Sequence, residues 1–405
     1  MRDLATGLSE RMQHVGVSPT MKGTVEAERL KRAGVDVVDL GAGEPDFPTP
    51  AHIVAAAHEA LTAGFTKYTS NVGTAEVRAA VGYRYAQDYG VTYALDEVIM
   101  TAGGKQALYH AAMALFGPGD EVVTHAPGWP TIAEQIKLAG ATPVFARSTA
   151  ATGFALTAET LLSAVTPRTR AIVLNSPVNP TGALLSEAEA RILAEQAARH
   201  DLWVIIDMCY DRLVYDRVAH NLPGIFGAAC RDRLVLCGST SKSYAMTGWR
   251  CGWLAAPAPV VQAANALQSH ETSNVNSITQ KAAVAALTQS QTCVTDMLSE
   301  YQQRRDRLIE WLSEEPRLTT VVPRGAFYLF PGVQAFLTPH GCRTSLDFAD
   351  RLLREEHVVV TAGEAFGTPG HIRLSYAASL ERLREGVTRT IRFARRLAAD
   401  SAAGN

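Results

Sequence analysis

The sequence predicts an α/β protein of two domains, whose main part is a parallel sheet with helices crossing between its strands. The first observation is an alternation: from about residue 97 onward, short apolar runs are each followed by a loop and a helical segment. The second is the length, because 405 residues exceed what one hydrophobic core normally organises. The third is that polar, aromatic or glycine residues follow the apolar runs directly, where open sheets of this class bind ligands.

Composition narrows the class of protein further. Hydrophobic residues make up 47% and charged residues 19% of the chain, as in soluble globular proteins, and the net charge of −2 offers no basic surface for nucleic acid or an anionic membrane. Residues 1–4 contain no apolar signal core, and no apolar run approaches the length of a membrane span. Six scattered cysteines without a CxxC pair favour reduced thiols over disulfides or a metal site. We therefore expect a cytoplasmic protein without metal, nucleic-acid or membrane partners.

The two ends of the chain are predicted to lie outside this alternation. The N-terminal part is expected to contain, in order, a helix over 25–33 closed by Gly34, a strand over 35–40, a glycine- and proline-containing turn over 41–46, a helix over 52–63 and a loop over 67–73. The C-terminal part is expected to contain a long helix over about 294–313 and strands over 325–330 and 370–376. The long C-terminal helix is expected to lead into a second, smaller domain that contains these two strands.

Chemically distinctive residues follow five consecutive predicted strands. They are Gly103, Gly104 and Lys105 after strand 98–101, Trp129 after 121–124, Asn179 after 171–174, Asp207 and Tyr210 after 203–206, and Ser239, Ser241 and Lys242 after 234–237. Each of these residues, taken alone, has a structural explanation as part of a turn, as a core residue or as a helix cap. A helix after the Asn179 loop is predicted to open with a capping box formed by Ser186 and Glu189. Because the carboxyl ends of parallel strands share one edge of a sheet, together they predict one ligand site.

The stretch Gly238-Ser-Thr-Ser-Lys-Ser-Tyr-Ala-Met-Thr-Gly-Trp-Arg250 is the most informative part of the sequence. Lys242 stands after a buried strand, where a low dielectric favours a neutral, nucleophilic amine. Small neighbours leave room for a bulky group on that amine, Ser239 offers a hydrogen bond to an anion, and Arg250 supplies a permanent cation. A solvated lysine in an ordinary loop is the alternative for any such residue taken alone.

The same stretch resembles the lysine signature of the class I/II aminotransferases, fold-type-I enzymes of pyridoxal phosphate, in which Ser-x-x-Lys precedes Met-Thr-Gly-Trp-Arg. The resemblance to the aspartate aminotransferase-like subgroup runs from about Ser18 to Tyr376. It implies a large cofactor-binding domain over 47–292 with a mostly parallel seven-stranded sheet between helices. It also implies a smaller α/β domain, formed by an N-terminal arm and segment over 1–46 together with residues 293–405.

The resemblance also implies roles for particular residues. The implied cofactor is pyridoxal 5′-phosphate, which forms a Schiff base with Lys242, stacks on Trp129, bonds Asn179 and Tyr210 through its phenolic oxygen, and pairs its ring nitrogen with Asp207. The implied phosphate ligands are Gly103, Gly104, Lys105, Ser239, Ser241 and Arg250, joined by Tyr68 from the other subunit of a homodimer. The implied substrate-binding residues are Thr20, Gly43, Lys105, Trp129, Asn179 and Arg373, of which Arg373 grips the α-carboxylate. The implied catalytic residues are Lys242, Asp207 and Tyr210.

The resemblance implies transamination between an L-amino acid and a 2-oxo acid, with aspartate or glutamate expected as one partner. Several positions depart from the family pattern: Gly128, Met208, Cys209, Glu271, and Ser269 where another subgroup carries a carboxylate-reading arginine. These departures leave open a different reaction with the same cofactor, such as β-elimination, decarboxylation or oxidation of an amino acid. A regulator that uses the fold as a ligand sensor is a further alternative, but it would need a DNA-binding domain ahead of residue 35.

Overall fold

The computed structural model of the chain describes residues 22–338 and 342–403, together with residues 9, 12 and 15–17. Thr20, a predicted substrate contact, lies outside the described residues. The helices of the described part are α1 Lys22–Arg32, α2 Ala51–Thr62, α3 Ala75–Tyr89, α4 Gly104–Leu115, α5 Pro130–Leu138, α6 Ala158–Leu162, α7 Glu187–Arg199, α8 Leu222–Cys230, α9 Ala258–Ser269, α10 Ser277–Thr288, α11 Thr292–Leu312, α12 Ser345–Glu356 and α13 Leu380–Ala403.

The strands are short and, with few exceptions, buried. They are β1 Val38–Asp39, β2 Val98–Thr101, β3 Glu121–Ala126, β4 Thr142–Arg147, β5 Thr169–Asn175, β6 Trp203–Asp207, β7 Leu234–Ser239, β8 Gly252–Ala255, β9 Tyr328–Leu329, β10 Val358–Val359, β11 Thr361–Ala362 and β12 Ile372–Ser375. The strand predicted over 35–40 is reduced to two residues, and those predicted over 325–330 and 370–376 are likewise shorter than expected. The sequence reading did not identify β4, which is more exposed than the others, or β8.

A seven-stranded main sheet has the order β2-β8-β7-β6-β5-β3-β4. Strand β8 runs antiparallel to both of its neighbours, and the other pairings are parallel. The predicted α/β class with a mostly parallel seven-stranded sheet is thereby confirmed. Because β2, β3, β5, β6 and β7 run in the same direction, the loops at their carboxyl ends meet along one edge of the sheet.

Local sequence explains the start of α7, with one correction. The Ser186 hydroxyl accepts a hydrogen bond from the backbone N–H of Glu189 at 3.2 Å, as an N-cap should. The predicted return contact of a capping box is wrong, because the Glu189 carboxylate accepts from the backbone N–H of Ala158 at 2.6 Å instead. The carboxylate therefore ties α7 to the start of α6.

The buried apolar side chains of the described residues form three large clusters. Two clusters lie on the two faces of the main sheet. A third cluster, called here the second core, joins Val38 and Leu40 to residues between 297 and 397. Tyr210, Leu213 and Tyr215 belong to the second core although they follow β6. The loop after β6 thus connects the carboxyl edge of the main sheet to the second core.

Two further properties of the described residues concern the predicted partners. No helix among them is both long enough and apolar enough to cross a membrane. The six cysteines are all unpaired, and four of them are buried, in keeping with the expected reduced thiols.

Candidate active site

Lys242 lies at the carboxyl edge of the main sheet, directly beyond β7. Its amine donates a hydrogen bond to the backbone carbonyl of Gly43, so the turn after β1 meets the lysine loop here. Burial lowers the pKa of Lys242, and the cations of Arg373 and Arg250 add to this effect, whereas Cys209 and Glu44 oppose it. A lowered pKa increases the fraction of neutral amine at neutral pH, which is what a nucleophile or a general base requires.

On one side of Lys242, backbone and side-chain donors form a cradle suited to an anion. Gly103, with a φ of 85°, precedes the first turn of α4, and a Cβ on it would lie 2.7 Å from Nη2 of Arg250. The Ser239 hydroxyl donates to Oγ of Ser241 at 2.7 Å and accepts from the Ser241 N–H at 2.9 Å. A Cβ on Gly104 would lie 3.3 Å from that of Ser239, so α4 begins directly beside β7. A helix N-terminus and a fixed guanidinium together favour phosphate.

Arg250 is held toward this cradle by its own backbone. Its φ of 53° lies in the left-handed region, which non-glycine residues seldom adopt. The guanidinium donates to the carbonyls of Thr247 at 2.9 Å and Ala102 at 3.2 Å, and the residue is exposed. These two carbonyls orient the guanidinium but leave its charge without a carboxylate among the described residues.

Asp207, at the end of β6, supplies the opposite charge. Its side chain is buried, and its Oδ1 accepts the N–H of Cys209 at 3.0 Å. Burial raises the pKa of Asp207 to about 7, and the charge of Asp211 also raises it, whereas the Cys209 N–H and the charge of Lys242 lower it. A buried carboxyl without a cationic hydrogen-bond partner is costly to ionise, so this position favours a ligand that brings a cation.

Trp129 and Lys105 lie together although they follow β3 and β2, which are not neighbours in the main sheet. The Lys105 amine, on the first turn of α4, lies 5.1 Å from the centre of the Trp129 indole. Burial lowers the pKa of Lys105, and the charge of Arg250 lowers it further. Both residues keep accessible surface, which leaves a flat aromatic face and a cation available to a ligand.

Arg373, on β12, reaches the same edge from the second core. It is 3% exposed, and its guanidinium donates to Oδ1 of Asn179 at 3.0 Å and to the Gly41 carbonyl at 2.7 Å. Its Nε is buried without a hydrogen-bond partner, and no carboxylate pairs with it among the described residues. A structural ion pair among the described residues therefore does not account for the burial of this cation. A buried cation with unused donor capacity suits a carboxylate ligand.

Tyr328, on β9, is a site residue that the sequence reading missed. Its hydroxyl lies 2.8 Å from that of Tyr210, and its ring lies 4.4 Å from the Arg373 guanidinium. Only the antiparallel pairing of β9 with β12 brings it there, with Tyr328 opposite Ser375. Residue pattern alone carried no signal for this contact, because Tyr328 sits in an apolar run typical of any buried strand.

Tyr68 is the predicted site residue that the chain does not bring to the edge of the sheet. Its side chain is 92% exposed. Its neighbours are nevertheless pinned: the Thr69 hydroxyl accepts from Gln280 at 3.0 Å, and the Asn71 amide donates to Oδ1 of Asn265 at 2.6 Å. The loop is thus anchored to the body of the protein while the Tyr68 ring projects from it.

Two departures from the family pattern have local explanations. A Cβ on Gly128 would lie 2.4 Å from the carbonyl oxygen of His125, so this turn excludes any larger residue. The Glu271 carboxylate lies 2.8 Å from Nε2 of the fully buried His110, which gives the acidic side chain a partner on α4. Cys209 remains a thiol, since burial raises its pKa to about 12, and Met208 is a core residue.

The arrangement is suited to a ligand with an anionic end, a ring and a basic nitrogen. The cradle around Gly103 and Arg250 suits the anionic end, the indole of Trp129 suits the ring, and the carboxyl of Asp207 suits the basic nitrogen. The amine of Lys242 lies between these groups, and the guanidinium of Arg373 is available to a carboxylate. Among the described residues, no group of three or more His, Cys, Asp or Glu side chains is placed to hold a metal ion.

A model of the family aminotransferase class I and II matches residues 35–389, so the chain belongs to this family and is an aminotransferase. Enzymes of the family depend on pyridoxal 5′-phosphate. The aspartate aminotransferase of Geobacillus stearothermophilus is 40% identical over 386 residues, which cover 95% of this chain and 98% of that relative. An aspartate/prephenate aminotransferase of Cereibacter sphaeroides is also 40% identical, over 392 residues that cover 95% and 98% of the two chains.

Solved structures agree with this assignment. The crystal structure of the aspartate aminotransferase from Rhizobium meliloti has a TM-score of 0.90 and 40% identity, covering 96% of this chain and 99% of that one. The aspartate aminotransferase from Thermus thermophilus with maleate has a TM-score of 0.89 and 36% identity, with the same coverage of 96% and 99%. The predicted family, the aspartate aminotransferase-like subgroup and the transaminase class of reaction are confirmed.

Proposed function

We propose that this aminotransferase holds pyridoxal 5′-phosphate at the carboxyl edge of the main sheet and uses an acidic L-amino acid as one partner. The observation that carries the proposal is the half-buried Lys242 amine, placed between an anion cradle and the buried carboxyl of Asp207. The donor set fits the cofactor, which carries a phosphate, an aldehyde and a basic ring nitrogen as separate groups. The position of Gly103 fits as well, since a side chain there would meet Arg250.

In this proposal each part of the cofactor has its own ligands. Gly103, Gly104, Ser239, Ser241 and Arg250 hold the phosphate, and Lys105 does so through its backbone N–H in the first turn of α4, which leaves its amine for the substrate. Trp129 covers the ring, Asp207 pairs with its nitrogen, and Asn179 and Tyr210 bond its phenolic oxygen. Arg373 and Gly43 hold the substrate's α-carboxylate end. The unpartnered Nε of Arg373, and the lack of an ion pair with any carboxylate of the described residues, support this last assignment.

The reaction then depends on what these side chains do with protons and charge. Pyridoxal 5′-phosphate, when bound, supplies an aldehyde that takes up the amino group and a ring that accepts electrons from the α-carbon. Nζ of Lys242 would hold the aldehyde carbon until the amino group of the substrate displaces it, and the freed amine would then take up the substrate's α-proton and return it to the cofactor carbon. The Asp207 carboxylate keeps a proton on the ring nitrogen, and Arg373 fixes the substrate so that its α-carbon faces Nζ.

An acidic partner substrate is supported by the cation at the rim of the site. The Lys105 amine lies over Trp129 without an ion pair among the described residues, and it is free to bind a distal carboxylate. The Thermus thermophilus relative, whose structure contains the dicarboxylate maleate, agrees with such a preference. Thr20, the other residue expected at this end of the pocket, lies outside the described residues.

Replacing Lys105 with alanine should lower kcat/KM for aspartate about 10- to 100-fold, because a charge-assisted hydrogen bond to the distal carboxylate is lost. Turnover of a donor with one carboxylate should change much less. The measurement is stoichiometric exchange of amino and oxo acids over a panel of donors with 2-oxoglutarate. Lys137→Ala, which removes a surface lysine paired with Glu134 at 2.7 Å, is the matched control. A strong preference for aliphatic or basic donors, together with unchanged aspartate turnover in Lys105→Ala, would refute the proposal.

We also propose the domain division 1–46, 47–292 and 293–405, with the first and last segments joined in the smaller domain. The second core supports it, because Val38 and Leu40 pack there with residues from 297 onward. The six unpaired cysteines support a cytoplasmic location.

The working unit in this proposal is a homodimer in which Tyr68 completes the partner's phosphate site. Its 92% exposure on a pinned loop supports this role, because an ordered, exposed aromatic side chain is typical of an interface. A cleft of about 700 Å³ beside Arg250, lined also by Thr272 and Asn274, has room for a loop of a second copy.

Mixing two inactive variants should restore activity if the sites are shared. Tyr68→Asp places a carboxylate against the partner's phosphate, and Lys242→Ala removes the amine of its own chain. In a mixed dimer, one site has both lesions and the other has none, so random exchange should recover about a quarter of wild-type activity. The measurement is transamination after subunit exchange that native mass spectrometry has demonstrated.

The matched control mixes Lys242→Ala with Asp207→Asn. Both residues belong to the same chain's site, so no mixed dimer contains an intact one and activity should stay absent. Demonstrated exchange without recovery in the first mixture, or a fully active monomer in sedimentation, contradicts the shared site.

A further inference from the structure

His125 is a buried histidine on β3 that the reaction itself does not use. It is 2% exposed, and both of its ring nitrogens have partners. Nδ1 lies 2.8 Å from the carbonyl oxygen of Pro127, and Nε2 lies 3.3 Å from the backbone nitrogen of Asn175. A carbonyl only accepts and a backbone N–H only donates, so a single arrangement satisfies both contacts. In this arrangement Nδ1 carries the proton and donates it to the Pro127 carbonyl, and the lone pair of Nε2 accepts the N–H of Asn175.

The ring closes a gap between two strands. The paired residues of β3 and β5 end at Val123 with Ile172, three residues before Asn175. A buried backbone N–H that has lost its strand partner must find another acceptor. Nε2 of His125 is that acceptor for Asn175, and a protonated ring would not serve. Burial lowers the pKa of His125, which keeps the ring neutral at neutral pH.

On one side the ring holds the loop of the aromatic residue Trp129. The hydrogen bond from Nδ1 to the Pro127 carbonyl closes a tight turn over residues 125–128. In this turn a Cβ on Gly128 would lie 2.4 Å from the His125 carbonyl oxygen. The Gly128 N–H donates to the carbonyl of Phe366 at 3.3 Å, which pins the turn from the other end. Trp129 follows directly and is the N-cap residue of α5.

On the other side the ring holds the loop of Asn179. Oδ1 of Asn175 accepts the Asn179 N–H at 2.9 Å, and Oδ1 of Asn179 accepts from Arg373 at 3.0 Å. The backbone contact to His125 therefore sits at the base of a chain of hydrogen bonds that ends at the side chain of Asn179.

We propose that His125 is a positioning residue that sets the Trp129 loop and the Asn179 loop relative to each other through one neutral ring. The proposal rests on the proposed function, in which Trp129 and Asn179 contact two parts of one cofactor. Without the His125 side chain each loop should still fold, but the distance between the Trp129 indole and the Asn179 amide should no longer be fixed.

The test compares three substitutions. His125→Leu loses both contacts, His125→Asn can place a donor near the Nδ1 position, and His125→Gln can place an acceptor near the Nε2 position. The readouts are the dissociation constant for pyridoxal 5′-phosphate and the pH midpoint of the visible absorbance of the loaded protein. His125→Leu should weaken cofactor binding about tenfold and move the midpoint by about one pH unit, and each amide variant should recover part of both changes.

The control is His371→Leu, a second buried histidine, with Nδ1 3.2 Å from the carbonyl of Pro369 and the ring stacked on Phe330. It should lower the unfolding temperature about as much as His125→Leu while leaving the dissociation constant and the midpoint unchanged. Equal changes in both leucine variants, or wild-type values in His125→Leu, would overturn the proposal. If His125→Leu does not fold, the two amide variants decide by the same criteria. A wild-type protein that binds no pyridoxal 5′-phosphate refutes the proposed function itself.

Discussion

Lys242→Ala is expected to lower the rate of transamination by at least about 10⁴-fold, because one amine serves as both nucleophile and proton carrier. The nearby guanidinium of Arg373 cannot replace it, because Asn179 and Gly41 hold that group and a guanidinium does not lose its proton. The visible absorbance of the cofactor-loaded protein should disappear as well. Both properties are measured on purified protein after addition of pyridoxal 5′-phosphate.

Borohydride reduction identifies the attachment point independently of activity. In the wild-type protein, peptide mass mapping should place the reduced adduct on Lys242. Lys281→Ala is the matched control, because Lys281 lies on α10 in an exposed ion pair with Glu76 and should be dispensable. An adduct on any other lysine contradicts the assignment.

Asp207→Asn should lower kcat about 10³-fold, because it removes the charged partner of a buried cation at the cost typical of such pairs. The amide keeps the shape of the side chain, so the protein should still fold and bind the cofactor. Comparing kcat and the cofactor dissociation constant of the variant with those of wild type separates the two effects. A variant that retains most of its kcat would show that Asp207 does not act on the ring nitrogen.

The same substitution should change the pH dependence of stability without cofactor. The folded-state pKa of Asp207 is raised to about 7, above the ordinary value of about 4, so between these values the folded protein holds a proton that the unfolded chain does not. Stability should therefore fall as the pH rises through this window, by up to about 4 kcal/mol from this group. In Asp207→Asn this component should be absent. Urea unfolding from pH 4 to pH 8 measures it.

Comparison with the variant is necessary because Asp211 titrates in the same window, burial having raised its pKa to about 6. Only the difference between wild type and Asp207→Asn belongs to Asp207. Bound cofactor should reduce the difference, since its ring nitrogen gives the carboxylate a cationic partner. Equal pH profiles for the two proteins without cofactor would contradict a raised pKa at this position.

The sequence by itself determined the α/β class, the family and the order of the strand-end residues. These features are local: a strand that ends in Asp207, or a lysine that follows the buried run 234–237, is visible in adjacent residues. Because parallel strands place their carboxyl ends at one edge, local order was enough to predict that Trp129, Asn179, Asp207 and Lys242 gather there. Strands β4 and β8 were not predicted from the sequence, because β4 is partly exposed and β8 follows the irregular loop that contains Lys242.

Only the tertiary structure decided which distant groups share the site. Arg373 reaches Asn179 and Gly41 across 194 and 332 positions of the chain, and no pattern of adjacent residues encodes such a contact. The Tyr328 hydroxyl meets Tyr210 through the pairing of β9 with β12, and His125 bonds Asn175 where the pairing of β3 with β5 has ended. That Arg373 forms no ion pair with a carboxylate in the described part of the chain is likewise a property of packing. Whether a side chain is buried and whether its hydrogen bonds are satisfied depend on segments that are remote in sequence. These long-range contacts decide which side chains remain available to a ligand.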